Sequence, residues 1–179
     1  GYPSPGKDAL IAKRTDEFVH EVSRESPAPG GGSVAALAGA LGAALASMVA
    51  NLSIGKGEFD ARYEELCALA ERAQAAKDEL VGAIDADTEA FNEVLAALRL
   101  AKDTPEQVAA RSAAIRAGYK SAARVPLRTA QLCRAVLDLC RAAADLGNQA
   151  VMSDAAVGAL MAYAGIQGAV HNVRINLPH

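Results

Sequence analysis

Apolar positions along the chain recur at helical spacing from end to end, and no run alternates apolar and polar residues over strand length. The first periodic segment, "DEFVHEVS", places Phe18, Val19 and Val22 on one side behind Thr15 and Asp16 as capping residues, and Ser26, Pro27 and Pro29 end it. Gly30, Gly31 and Gly32 then lead into Ser33, a preferred N-cap residue, which predicts a helix over 33–54 closed by Gly55, Lys56 and Gly57. Residues 58–100 are helical in pattern, with Gly82 as one weak point worth ~1 kcal/mol against Ala, so they form one long helix or two. In "DTPEQ", Thr104 as N-cap, Pro105 at the first helical position and Gln107 at the capping-box position start a helix over 104–124. Pro126 breaks or kinks that pattern, a further helix runs to Gly147, and a last one starts at Ser153 and Asp154. The expected fold is all-α, an antiparallel bundle of five or six helices around a central uncharged Ala/Gly-rich helix.

That central segment has no charged residue between Pro27 and Lys56. It has the length of a bilayer-crossing helix, roughly 20 residues. Ala and Gly dominate it, however, and Ser47, Asn51 and Ser53 are polar, so its drive to insert is weak and no membrane is expected. A helix uncharged on every side must instead be covered on every side. A chain of 179 residues is short for that task, so the expected partner is a second copy in a homodimer.

The length suits one domain, read as a loose lead-in over 1–14 and a single helical domain over 15–179. Eighteen Lys and Arg against 21 Asp and Glu, 4 % aromatic residues and no Trp leave neither a basic surface nor stacking platforms, which argues against a nucleic-acid partner. Cys67, Cys133 and Cys140 are odd in number and show no metal-ligand spacing, and the last two, roughly 10 Å apart on one helix face, are too distant to bridge. They read as small hydrophobes in a reducing, cytoplasmic setting. The start "GYPSPGK" lacks the pattern of a signal peptide. His20, His171 and His179 have no ligand spacing, so no metal is expected.

Two features carry candidate chemistry. The glycines Gly30 to Gly32 ahead of Ser33 strip a helix entry of Cβ atoms and expose its N–H groups, which suits an anion or a flat ligand. This is neither a P-loop nor a dinucleotide fingerprint, because no Lys follows the glycines and no strand precedes them. In "VGAIDADTEAFNEVLAAL", at about 100° per residue, Ile84, Asp87, Phe91, Val94, Leu95 and Leu98 form one stripe, while Asp85 lies about 200° from Asp87. Asp87 is thus the acid on the apolar face. Burial against Ile84 and Phe91 would raise its pKa and suit it to proton transfer, whereas a place at the stripe's edge would leave it solvated or salt-bridged.

The blocks "PAPGGGSVAALAGALGAALASMVANLSIGK", "DADTEAF", "TPEQ", "VPL", "GNQAVMSDAAVGALMA" and "NVRINL", in this order over about residues 15 to 177, resemble the cyclodeaminase/cyclohydrolase family. That family comprises the C-terminal domain of formiminotransferase-cyclodeaminase and its stand-alone bacterial relatives. The resemblance implies a dimeric, all-α enzyme of tetrahydrofolate one-carbon metabolism that needs no cofactor. The expected reaction is conversion of 5-formimidoyltetrahydrofolate to 5,10-methenyltetrahydrofolate with release of ammonia. The alternative is the cyclohydrolase reaction between 5,10-methenyl- and 10-formyltetrahydrofolate, and a second alternative is a non-catalytic folate-binding or assembly subunit. The absence of a formiminotransferase part adds weight to the cyclohydrolase. The family's catalytic acid is the second Asp of its DAD motif, here Asp87.

Other candidate substrate-binding positions follow from the same blocks. Gly30, Gly31, Gly32 and Ser33 would receive a flat ring or a carboxylate. Lys56 would pair with the folate's glutamate carboxylate or with its own helix end. Asn148, Ser153 and Asp154 would bind the pterin edge or cap a helix. Asn172, Arg174 and Asn176 alternate in "NVRIN" and cannot all share a helix face, so Asn172 and Asn176 are the candidates. Family members usually continue past "INL" with another helix, which places the dimer interface and part of the stability in question for a sequence ending at His179.

Overall fold

A computed structural model describes residues 9–177, and every regular element among them is helical. Five α-helices follow in order: α1 (Thr15–Val22), α2 (Gly31–Ser53), α3 (Tyr63–Leu98), α4 (Pro105–Leu146) and α5 (Met152–Asn176). Short 3-10 turns at Leu10–Ala12, Gly57–Arg62 and Gln149–Val151 join or precede them. Of the expected lead-in, residues 1–8 lie outside the described residues, as does His179. Leu10 packs with Phe18, Ala36 and Ile84.

The bundle is built around α2, which packs on α3, α4 and α5. It runs antiparallel to α3, because Ser33 reaches Ile84 and Ser47 reaches Gln74, and parallel to α4, because Gly39 lies against Cys133 and Gly42 against Val136. Its side chains explain the arrangement. Ala43, Ala46, Val49 and Ala50 are fully buried among Leu66, Ala73 and Leu80 of α3, Cys133, Val136 and Ala143 of α4, and Ala162 of α5. Small residues let helix backbones approach closely: a Cβ on Gly42 would sit 2.7 Å from the Gly158 carbonyl oxygen, and one on Gly158 would sit 3.1 Å from the Gly42 carbonyl oxygen. By length and composition α2 would qualify as a membrane span, yet 67 % of its most apolar window is buried inside the protein. Its lack of charge is accounted for by helices on three sides. On the fourth, Val34, Leu41, Met48 and Leu52 remain exposed.

Several boundaries differ from those read in the sequence, each for a physical reason. The N-cap of α2 is Gly30, so the helix starts before Ser33, whose hydroxyl donates to the Ile84 carbonyl at 2.8 Å instead of capping. α1 is capped at Arg14, whose N–H donates to Glu17 Oε2, in place of Thr15 or Asp16. α3 passes through Gly82 unbroken, since flanking Leu80 and Ile84 are buried and their packing outweighs one glycine's propensity cost. α5 begins at Met152, and neither Ser153 nor Asp154 caps it. The Thr104, Pro105 and Gln107 start signal is present as read, with reciprocal Gln107 N to Thr104 Oγ1 and Thr104 N to Gln107 Oε1 bonds of 3.3 Å each.

The most informative difference is Pro126, which neither breaks nor ends α4. Proline has no N–H, so the carbonyl four residues back, that of Ala122, loses its helical donor. Asn176 of α5 supplies one: its Nδ2 donates to the Ala122 oxygen at 3.0 Å and to the Asn172 oxygen at 2.9 Å. The cost of the proline is thereby offset by a bond from another helix, and α4 and α5 are tied together at that level. Asn176→Ala should destabilise the fold by about 1–3 kcal/mol, the cost of a buried acceptor left unpaired. Pro126→Ala, which restores the N–H, should stabilise the Asn176→Ala background more than the native one, by about 1 kcal/mol in a urea-unfolding double-mutant cycle.

Candidate active site

The centre of the site is the approach of α3 to the first turn of α2. Asp87 is half-buried there, on the same side of α3 as Ile84 and Phe91. Its carboxyl fills the space that a side chain on Gly32 would occupy: an added Cβ there would overlap the Asp87 carboxyl group. Ser33, fully buried, has its hydroxyl 3.4 Å from Asp87 Oδ2 and 3.4 Å from Thr88 Oγ1 while it bonds the Ile84 carbonyl. Burial raises the Asp87 pKa above the ordinary carboxylate value, and hydrogen bonds from the Ser33 backbone N–H and hydroxyl partly oppose that rise. The positive end of the α2 dipole acts in the same direction as those bonds. The result is a carboxyl held in place in either protonation state.

Asp85, two residues earlier, is turned the other way. Its Oδ1 accepts the Leu10 N–H at 2.6 Å and its Oδ2 the Ile11 N–H at 3.5 Å, which pins the N-terminal 3-10 turn onto the bundle. The two acids of the DAD sequence therefore have separate duties, one structural and one facing the cleft.

Asp87 opens onto a cleft of about 320 Å³. Gly30 and Gly31 form one edge, Phe91 and Tyr119 supply aromatic faces from α3 and α4, and Asn172 and Asn176 line it from α5. Asn172 and Asn176 are one helical turn apart and share this face, whereas Arg174 between them is exposed. Asn172 Nδ2 donates to the Gly168 carbonyl at 2.9 Å. Of the positions singled out in the sequence, Gly30, Gly31, Gly32, Ser33, Asp87, Asn172 and Asn176 are thus brought together. Gly32 and Ser33 serve by seating Asp87, being buried beneath it.

Lys56, Asn148, Ser153 and Asp154 are not part of this cleft. Lys56 follows the opposite end of α2, about 34 Å away along a helix of 23 residues. Asn148 lies at that far end too, where its N–H donates to Ser53 Oγ at 2.8 Å and its Oδ1 accepts the Ala150 N–H at 2.9 Å. Ser153 and Asp154 occupy the first turn of α5, next to it. In the other direction, Phe91 and Tyr119 line the cleft although no motif in the sequence marks them as site residues. The available signal was scarcity: with three Phe and four Tyr in the chain, an aromatic residue on a helix face is unusual enough to single out. Among the described residues no group of three His, Cys, Asp or Glu side chains is placed to hold a metal, and His171 is exposed. Burial pushes the Cys133 and Cys140 thiols up to about 11, consistent with small core residues.

A single half-buried carboxyl of raised pKa, flanked by aromatic faces and carboxamides in a cleft at a helix entry of an all-helical bundle, is an arrangement suited to acid/base chemistry. The chain belongs to the formiminotransferase-cyclodeaminase family, whose profile matches residues 14–179. It is 43 % identical over 161 residues to the methenyltetrahydrofolate cyclohydrolase of Methylorubrum extorquens, covering 90 % of this chain and 77 % of that protein. It is 41 % identical over 176 residues to the formimidoyltransferase-cyclodeaminase of Rattus norvegicus, of which it spans only 32 %. Among solved structures, the formiminotetrahydrofolate cyclodeaminase of Thermotoga maritima superposes with a TM-score of 0.82 at 28 % identity, over 93 % of this chain and 79 % of that one.

The seating of Asp87 has a consequence for stability. A carboxyl whose pKa is raised by folding contributes most when protonated, and that contribution is lost as pH rises through the raised value. Asp87→Asn should therefore be more stable than the native protein at pH 8, by about 0.5–2 kcal/mol, as for other relieved functional-site strains. The difference should shrink as the pH is lowered towards the ordinary carboxylate range, as followed by thermal unfolding at several pH values.

Proposed function

We propose that the protein is a cyclohydrolase that adds water to 5,10-methenyltetrahydrofolate and releases 10-formyltetrahydrofolate, with Asp87 as the proton carrier. The observation that carries this reading is Asp87 itself, a carboxyl of raised pKa in a cleft with aromatic faces, in a chain that matches a named cyclohydrolase over most of both lengths. The substrate carbon between N5 and N10 is cationic, and a carboxylate stabilises it. Ionised Asp87 takes one proton from the attacking water as its oxygen bonds that carbon, giving a neutral hydroxyl adduct. The bond from this carbon to N5 then breaks, Asp87 returns its proton to N5, and the hydroxyl proton leaves to solvent as the formyl group forms on N10. Phe91 and Tyr119 would pack against the flat rings, and Asn172 would hydrogen-bond their polar edge.

The cyclodeaminase reaction is the second reading, supported by the names of the rat relative and of the Thermotoga structure. It uses the same carboxyl: N10 attacks the carbon of the protonated formimidoyl group, ionised Asp87 removes the N10 proton, and the protonated carboxyl delivers it to the amino group of the adduct, which leaves as ammonia as the methenyl cation forms. Supplying 5,10-methenyltetrahydrofolate and 5-formimidoyltetrahydrofolate separately and following the methenyl absorbance separates the two. Accelerated decay of the first supports the cyclohydrolase, and appearance from the second the cyclodeaminase. Silence in both, with measurable folate binding, identifies a non-catalytic folate-binding subunit.

In the active reaction, Asp87→Asn should lower kcat by ~10² to 10⁴. The acid limb of kcat/KM should lie above the ordinary carboxylate range, because burial raises the pKa of the base. Ser33→Ala removes a hydrogen bond that favours the ionised form, so its acid limb should move to higher pH, and a limb unmoved or moved lower would contradict the role given to Ser33.

We further propose that the active form is a homodimer joined through the exposed side of α2, where Val34, Leu41, Met48 and Leu52 form an apolar row uninterrupted by charge. Leu41→Glu together with Met48→Glu should convert a dimer to a monomer in sedimentation velocity, with helical circular dichroism retained.

A further inference from the structure

Ser33 faces more polar partners than one hydroxyl can serve at once. A hydroxyl offers one hydrogen and two lone pairs. Of the Ser33 contacts, the shortest, 2.8 Å to the Ile84 carbonyl, takes the hydrogen, while Asp87 Oδ2 and Thr88 Oγ1 each lie 3.4 Å from the same oxygen. With its hydrogen on Ile84, Ser33 Oγ can only accept, so Thr88 is the donor of their shared bond and Asp87 can donate only when it is protonated. The arrangement therefore matches the protonated carboxyl. Ionised Asp87 is an acceptor, and for it the Ser33 hydroxyl must turn from Ile84 to Oδ2. Little is lost at Ile84, whose carbonyl keeps the N–H of Thr88, the residue four positions on in the unbroken helix α3. The turn breaks no covalent bond, and the Ser33 proton stays on Ser33.

Hydroxyls are the groups that can answer a change of charge here. Among the described residues lining the cleft, none is basic, Asp87 is the one acid, and Tyr119, from α4, is the other titratable group. α2 has no charged residue. Asp85 is turned to the N-terminal turn, and Glu89 of α3 and His171 and Arg174 of α5 are exposed. We infer that Thr88 is a positioning residue for the proton carrier: its hydroxyl occupies one Ser33 lone pair in both states, leaving the Ser33 hydrogen to swing between the Ile84 carbonyl, when Asp87 holds a proton, and Asp87 Oδ2, when it does not. In the ionised state the bonds run from Thr88 to Ser33 to Asp87, and each polarises the next, so Ser33 supports the carboxylate more strongly than it would alone. Thr88 is half-buried, is not among the cleft-lining residues and acts through Ser33. This rests on the reading of Asp87 as the proton carrier of a folate enzyme.

The test reads the acid limb of kcat/KM together with an infrared titration of the Asp87 carboxyl C=O stretch in the absence of substrate, assigned by its loss in Asp87→Asn. Thr88→Val, which exchanges the hydroxyl for a methyl group, weakens support for the ionised form. Both readouts should therefore move to higher pH, by roughly 0.3–1 unit, the net worth of one hydrogen bond read through one carboxyl. Thr88→Ser, which keeps the hydroxyl, should titrate like the native protein, and Thr88→Ala should titrate like Thr88→Val, so the comparison stands if either hydroxyl-free variant fails to fold. In the Ser33→Ala background, Thr88→Val should add no further shift, because its effect passes through Ser33. A Thr88 that served only the fold would change thermal stability and leave both pH readouts in place. Readouts unmoved by loss of the hydroxyl, moved to lower pH, or shifted equally in the Ser33→Ala background overturn the inference. An infrared shift that needs Ser33, in a protein that turns over neither folate, supports the relay and refutes the folate-enzyme reading. Turnover with an unshifted titration does the reverse.

Discussion

The arrangement depends on one steric fact: the Asp87 carboxyl occupies the volume that any side chain on residue 32 would need. From that contact follows the approach of α3 to the entry of α2, the burial that raises the Asp87 pKa, and the service of Ser33 as support for a carboxylate in preference to a helix cap. A carboxyl placed this way is pulled between two influences. Loss of water favours its protonated form, whereas the Ser33 groups and the helix end favour its ionised form. Such a balance suits the proton-carrying role proposed for Asp87, which needs a group that both accepts and releases a proton.

The same economy of side chains runs along the rest of α2. With Gly39 and Gly42 facing α4 and α5, backbones approach closely enough for carbonyl oxygens and Cβ atoms to share the contact, and dispersion across many small atoms replaces the interlocking of large ones. This packing places the cleft at one end of a rigid axis. It also separates the two ends of α2, so residues that look alike as candidates, Gly31 and Lys56 for example, stand a helix length apart.

Pro126 and Asn176 show a long-range counterpart. A proline in the middle of a 42-residue helix is tolerated because the carbonyl it deprives is answered from α5, by a residue that also lines the cleft. Asn176 thus joins the wall carrying Tyr119 to the wall carrying Asn172, and helix continuity and cleft geometry rest on one carboxamide.

Much of this was legible beforehand where the physics is local. Helical periodicity, the Thr104 to Gln107 start, the absence of charge along α2 and the placing of Asp87 and Asp85 on different faces of α3 all follow from spacing of about 100° per residue, which neighbouring helices do not alter. What periodicity could not supply was the partner for each polar group. Whether Pro126 ends a helix depends on a donor 50 residues later, whether Ser33 caps or supports depends on the Ile84 carbonyl, and whether Lys56 or Asn148 lies near Asp87 depends on which helix ends meet. Sequence determined the helices, their buried faces and the acid. Tertiary structure alone decided the site around that acid, because hydrogen bonds and steric exclusion act over a few ångströms in space whatever the separation along the chain.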